Sequence, residues 1–265
     1  MSEWNAGEYA KHSSLQQAMA EEQLRLLKLA GSERILDVGC GDGKVTAAIA
    51  ARVPTGTVVG VDPSREMIAF AAAHHSAPNL RFEVADVRCL PFRGEFDRVV
   101  SFNALHWVKD QDAALASIRA ALGPGGHAQL RLVPAGTRRS VEYLAEEVRQ
   151  EPRWAEYFVD FTEPFAHFTP DEYHALAERN GFRVRSLEVH DRRWDFGDRE
   201  AFAAFCGGIF SEWTRRLPES DRPEFVREVS RRYCELSQCG GRGTSVFGFF
   251  QMDVELVAIS FTVDQ

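Results

Sequence analysis

The sequence predicts an α/β fold, a mostly parallel sheet with helices on both faces, and three observations carry that reading. Strand-like and helix-like segments alternate from residue 32 to 133, a pattern that a parallel sheet flanked by helices buries. The apolar run Ile35-Leu36-Asp37-Val38 passes straight into the turn Gly39-Cys40-Gly41-Asp42-Gly43. Acids then close the next two strands, at Asp62 and Asp86. In an open parallel sheet the ligand sits outside the carboxyl ends of the strands, which is where all of these residues fall.

The elements follow in order. Leu15, Met19, Leu24 and Leu27 recur at helical spacing and the segment stops at Gly31, so residues 1–31 form a lead-in carrying a helix. Strands are expected at Thr57–Asp62, Leu80–Asp86 and Phe96–Phe102, a helix at Ala113–Leu122, a turn at Gly123-Pro124-Gly125-Gly126 and a strand at His127–Val133. Regular alternation then stops. Val141, Leu144 and Val148 mark a helix, followed by an aromatic cluster of Trp154, Phe158, Phe161, Phe165 and Phe168. Thr169 caps a helix with Pro170 in its first turn, and that helix ends at Asn180-Gly181 before a strand over Phe182–Val189. Further helices fill 198–239, broken by Pro218 and Pro223. A long strand from Val246 to Thr262 places Val246, Gly248, Phe250, Met252, Val254, Leu256 and Ala258 on one face.

The glycine turn lets a ligand lie against bare backbone, since glycine has no Cβ and tolerates positive φ. Its charges narrow the ligand. A pyrophosphate at the following helix N-terminus would be repelled by Asp37 and Asp42, and no lysine follows in P-loop spacing. A phosphate-free, cationic ligand such as S-adenosylmethionine suits these acids. Asp62, about 20 residues past the glycines, stands where ribose hydroxyls are held, and Asp86 is in reach of an adenine amino group.

This succession of motifs resembles the class I S-adenosylmethionine-dependent methyltransferases, closely over residues 32–133. The resemblance implies a Rossmann-like seven-stranded sheet whose last strand is antiparallel, with an inserted helical cap. It assigns the cofactor to Tyr9, Asp37, Gly39, Cys40, Gly41, Asp62, Pro63, Asp86, Val87, Ser101 and Phe102. One domain over 1–265 is expected: a lid segment at 1–31, a cofactor-binding core at 32–133, cap insertions at 134–168 and 197–242, and sheet completion at 169–196 and 243–265. The segment Gly7–Gln16 is similar to the opening motif of plant carboxyl methyltransferases acting on salicylate, benzoate and jasmonate. It departs from them by carrying Glu8 and His12 where they carry serine and asparagine. The stretch Ser101–Gln111 is similar to insect juvenile hormone acid methyltransferases. These resemblances imply that Tyr9 meets the cofactor and that Gln16 and Trp107 hold a substrate carboxylate.

The chemistry agrees with that pairing. A carboxylate is ionised at neutral pH and needs no general base. Neutral donors such as an amide and an indole N–H orient it without quenching its charge. The bland alternatives are a core aromatic at Trp107, an exposed helix position at Gln16 and a scaffold role for His106. Were the acceptor a hydroxyl, nitrogen or carbon, His106 would be the base to test; a non-catalytic cofactor-binding protein is the alternative of another class. Of the 19 phenylalanines, most lie after residue 133. They suggest a lipophilic acid under the cap, or else rings that pack the cap's own core.

Composition narrows the partners. A net charge of −8, with paired arginines scattered among acids, argues against a polyanionic partner such as nucleic acid. Five cysteines without Cys-x-x-Cys spacing argue against a disulfide framework and a zinc site, and no metal is expected. A polar N-terminus and the lack of a membrane-length apolar stretch point to a cytoplasmic enzyme on a small-molecule acid, its oligomeric state undetermined.

Overall fold

The computed structural model describes residues 14–236 and 246–259. The strands are β1 (Arg34–Val38), β2 (Thr57–Asp62), β3 (Leu80–Val84), β4 (Phe96–Phe102), β5 (Leu122–Leu132), β6 (Phe182–Asp195) and β7 (Val246–Ala258). They form one sheet in the order β3-β2-β1-β4-β5-β7-β6, with β7 antiparallel to both neighbours and the first five strands parallel. The order reverses between β1 and β4, and the crevice at such a switch point is where ligands bind in open α/β sheets.

The helices are α1 (Ser14–Leu26), α2 (Lys44–Arg52), α3 (Arg65–His74), α4 (Gln111–Ala121), α5 (Val141–Arg149), α6 (Pro170–Arg179), α7 (Arg199–Ile209), α8 (Ser211–Thr214) and α9 (Arg222–Leu236). Period-two alternation divides the central strands between two cores. Ile35, Val58 and Val100 meet Leu27 and α2 on one face. Leu36, Val59 and Val99 meet α4 and α6 on the other. With both faces covered, β1 and β2 are buried almost end to end. α6 begins in a full capping box: Thr169 Oγ1 accepts from the Glu172 N–H at 3.3 Å, and Glu172 Oε2 accepts from the Thr169 N–H at 2.8 Å.

Four elements differ from expectation, each for a physical reason. β5 starts at Leu122, because Leu122 already pairs with Phe96; the register resumes only at His127 opposite Arg98, so Gly123–Gly126 forms a bulge within the strand. β6 runs on to Asp195. Pairing between β5 and β7 stops at Leu132 opposite Met252, and beyond it β6 and β7 leave the sheet as a ribbon from His190–Gln251 to Asp195–Val246. The expected single face of β7 therefore divides: Met252, Val254, Leu256 and Ala258 enter the sheet core, while Gly248 and Phe250 line a cavity. Pro223 sits in the first turn of α9, where its missing N–H costs nothing, so it begins a helix rather than breaking one.

The cap core gathers α5, α7, α8, α9 and the ribbon around Trp154, Phe158, Phe202, Phe210, Trp213 and Phe225. Tyr233 of α9 pins the ribbon, its hydroxyl donating to the Gly248 carbonyl at 2.7 Å and accepting from the Gly248 N–H at 2.8 Å. α1 bridges the two halves, with Leu15 in the cap core and Leu24, together with Leu27 just past the helix, against the sheet.

A buried ion network latches α1. Arg131 of β5 has no exposed side-chain surface. Its guanidinium forks onto Asp253 at 2.6 and 2.7 Å and reaches Glu22 at 2.9 Å, and Arg192 holds the other Glu22 oxygen at 2.7 Å. Against the upward push of burial, the two arginines keep the Glu22 carboxyl below its usual range. Removing the shared cation leaves Glu22 with Arg192 alone and takes the guanidinium fork from Asp253. Arg131→Leu is expected to cost roughly 3 kcal/mol of stability, read as a lower urea midpoint, and to speed amide exchange across α1.

Candidate active site

The glycine turn is tied to the end of β2 by backbone hydrogen bonds. The N–H groups of Gly39 and Cys40 both donate to the Val61 carbonyl, at 2.8 and 3.0 Å. Gly39, Gly41 and Gly43 have φ of +74, +53 and +79°, a region closed to most side chains. Asp62 clasps two loops at once: Oδ2 accepts from the Gly41 N–H at 3.1 Å and Oδ1 from the Ser64 N–H at 2.9 Å. Ser64 then caps α3 by accepting from the Met67 N–H.

Asp37 lies beneath this turn, 3 % exposed, with the Thr46 hydroxyl donating to it at 2.7 Å. Burial pushes its carboxyl up to about 7; the charge of Asp62 adds to the rise and the Thr46 hydrogen bond opposes it. Burial also raises Asp62, against its two backbone donors. Two carboxyls reluctant to ionise side by side favour a cation between them. Asp86 is different. It caps the short turn Val87–Cys89 and is gripped by the Arg88 guanidinium at 2.6–3.1 Å. Those hydrogen bonds outweigh burial and hold its carboxyl below the usual value.

A cavity of 620 Å³ extends from this turn to the cap, a size usual for small-molecule sites (about 300–1,000 Å³). Of the residues singled out in the sequence, Asp37, Gly39, Cys40, Gly41, Asp62, Pro63, Asp86, Val87, Phe102, His106 and Trp107 all line it. Ser101 does not: it is fully buried behind that wall, its hydroxyl donating to the Val38 carbonyl at 2.8 Å to join β4 to β1. Tyr9 lies outside the described residues. Gln16 falls on α1 between Leu15 and Met19, which both line the cavity; its side chain is outside the description.

His106 and Trp107 form a one-turn helix after β4. Burial drives the His106 imidazole down to about 3, with His167 adding to the fall, so the ring is neutral near pH 7. The chain reaches this turn through Asn103, at φ 58°, whose N–H donates to the Arg131 carbonyl at 2.7 Å. Asparagine at a strand end was the available signal for that left-handed residue. Arg88, two residues past Asp86, was legible only as a charge. The cap contributes Phe205, Ile209, Phe247, Phe249 and Phe250 to the cavity wall. The rings divide: Phe202, Phe210 and Phe225 fill the cap core, Phe250 lines the cavity, and Phe205, Phe247 and Phe249 do both.

Comparison with known proteins places this arrangement. A methyltransferase-domain family model matches residues 35–126. A juvenile hormone acid O-methyltransferase of Bombyx mori is 32% identical over 191 residues, covering 67% of this chain and 68% of the relative. The chain belongs to the class I S-adenosylmethionine-dependent methyltransferases. It is also 32% identical to a trans-aconitate 2-methyltransferase of Variovorax paradoxus, over 59% of this chain and 60% of that one. The fold matches phosphoethanolamine N-methyltransferase 2 of Haemonchus contortus, solved with S-adenosyl-L-methionine. That match has a TM-score of 0.62 at 16% identity and covers 96% of this chain and 57% of that one.

The methyltransferase's residues fit the cofactor on structural grounds. The buried Asp37 and half-buried Asp62 carboxyls call for a cation, and a Cβ built on Gly41 meets nothing within 4 Å, so the turn is open above its backbone. Among the described residues no cluster of His, Cys, Asp or Glu is placed to hold a metal, and no helix is long and apolar enough to cross a membrane.

Proposed function

We propose that the methyltransferase esterifies the carboxylate of a small, lipophilic organic acid. The buried, weakly basic His106 at the cavity wall carries this reading. The titratable ring beside Trp107 has an imidazolium so disfavoured that it is a poor proton acceptor, which suits an acceptor that arrives already ionised. The named relatives support it, since trans-aconitate and juvenile hormone acid are both organic acids. The aromatic cap wall supports an apolar body.

In this reading Asp37, Asp62 and Asp86 hold the cofactor, with the glycine turn against it and Val87 and Phe102 alongside. The bound cofactor supplies an electrophilic methyl group on a sulfonium. Trp107 and Gln16 orient the acid so that one oxygen stands in line with that methyl group. The cap and α1 exclude water, and the low dielectric favours a transfer in which an anion and a cation neutralise each other.

The test is methyl-ester formation from a panel of lipophilic acids with isotopically labelled cofactor, read by mass spectrometry. Gln16→Ala is expected to raise KM for the acid about tenfold, the loss of one hydrogen bond to a charged group, with kcat falling less. An unchanged KM, with activity lost on His106→Ala, would instead assign the chemistry to a protonated acceptor.

A further inference from the structure

The cap end of the cavity holds a carboxylate that the methyl-transfer chemistry does not use. Glu142, in the first turn of α5, lines the cavity and is only 5 % exposed, yet among the described residues nothing donates to its Oε2. Two imidazoles nearby are in the same condition. His106 Nδ1 and His167 Nε2 are buried without partners, the rings 6.3 Å apart. Burial holds the His167 imidazole down, and the Glu142 charge opposes it. Glu142, His106 and Trp107 all line the same cavity.

Buried polar atoms in native proteins almost always have partners, and a carboxylate oxygen without one is paid for only if something else completes it. Glu142 itself lines the substrate cavity, so a ligand there is placed to complete its carboxylate. Charge decides which ligand groups are acceptable. Acidic side chains outnumber basic ones along the wall, and the two arginines at its rim are already paired, Arg138 with Asp191 and Arg139 with Glu147. A second carboxylate on the substrate would meet Glu142 with no free arginine fork to receive it. A hydroxyl or amine would donate to Glu142 directly.

We propose that the substrate is a monocarboxylic acid bearing a hydrogen-bond donor, a hydroxyl or an amine, that Glu142 receives. The inference rests on the carboxylate reading and narrows it: the apolar body lies on Phe247 and Phe249, the carboxylate meets Trp107, and the donor meets Glu142. Sites built to accept a hydrogen bond reject analogues that lack the donor, because the buried acceptor is then left empty.

The experiment compares kcat/KM for decanoate, a series of hydroxydecanoates with the hydroxyl at successive carbons, and decanedioate, using the full chain and its Glu142→Leu and Glu142→Gln variants. At least one hydroxydecanoate is expected to exceed decanoate tenfold or more, with decanedioate poorest. Glu142→Leu should erase the hydroxyl preference and improve decanoate, and Glu142→Gln should relieve the discrimination against decanedioate. Calorimetric cofactor binding reports that each variant is folded; if Glu142→Leu is not, the decanedioate result with Glu142→Gln decides. Methylation of acids with no position preferred, or a preference that survives in Glu142→Leu, overturns this inference alone. Turnover of decanol or decylamine but of no acid overturns the carboxylate reading and this inference together.

Discussion

Gly39→Ala is expected to abolish cofactor binding and to destabilise the methyltransferase by roughly 3 kcal/mol, the sum of left-handed strain and overpacking. A Cβ at Gly39 would stand 2.2 Å from the Cβ of Ala104, and the residue has φ +74°. Ala104 lies between Asn103 and the His106-Trp107 turn, so relief of the clash separates two adjoining loops that both line the cavity. Gly41→Ala is the control. It has φ +53° and nothing within 4 Å of its would-be Cβ, so it should lose affinity for the cofactor with only about 1 kcal/mol of stability. Urea unfolding and calorimetric titration with S-adenosylmethionine separate the two. Equal unfolding midpoints for the two variants would show that the Gly39–Ala104 approach does not control the fold.

The second large effect concerns Asp37. Its carboxyl is pushed up to about 7 by burial, against 3.8 in the unfolded chain. Below the unfolded value both states are protonated and there is no penalty. As pH rises from about 4 to 7 the unfolded chain gives up its proton while the folded one keeps it, so the ligand-free fold loses stability across that window, and the loss is complete above it. Asp37→Asn is therefore expected to melt higher than the native protein at pH 8 without ligand and to match it near pH 4. The same substitution removes the anion that a sulfonium or ammonium requires, weakening cofactor binding by about 2–4 kcal/mol, or 30- to 1,000-fold. In the native protein a bound cation draws the Asp37 pKa down, so binding below pH 7 releases a proton and affinity falls by up to about tenfold per pH unit. Calorimetry in buffers of differing ionisation enthalpy counts that proton. Zero proton release at pH 6 would remove Asp37 from the cofactor site.

Much of this site was readable along the chain because its residues are local to strand ends. Asp37, the glycine turn, Asp62, Asp86 and the His106-Trp107 pair each stand at or just beyond the carboxyl end of a strand, and parallel pairing brings all those ends to one edge. Placement followed from topology alone. Ser101 shows the limit of that argument: one residue along a strand turns a side chain from the cavity into the sheet, and its hydroxyl went to Val38. The cap resisted for a related reason. The phenylalanines of α7 and β7 are equally apolar in sequence, and only their burial distinguishes Phe202, in the cap core, from Phe250, at the cavity.

By itself the sequence determined the sheet, the glycine turn and the acids around it, because alternation, glycine conformation and strand-end position are properties of neighbours along the chain. Tertiary structure alone decided the protonation of Asp37 and His106, the occupation of Asp86 by Arg88 and the open acceptor of Glu142. Each of those depends on what water is excluded and which distant side chain replaces it, and burial and partnership are settled only when the cap and α1 close over the sheet.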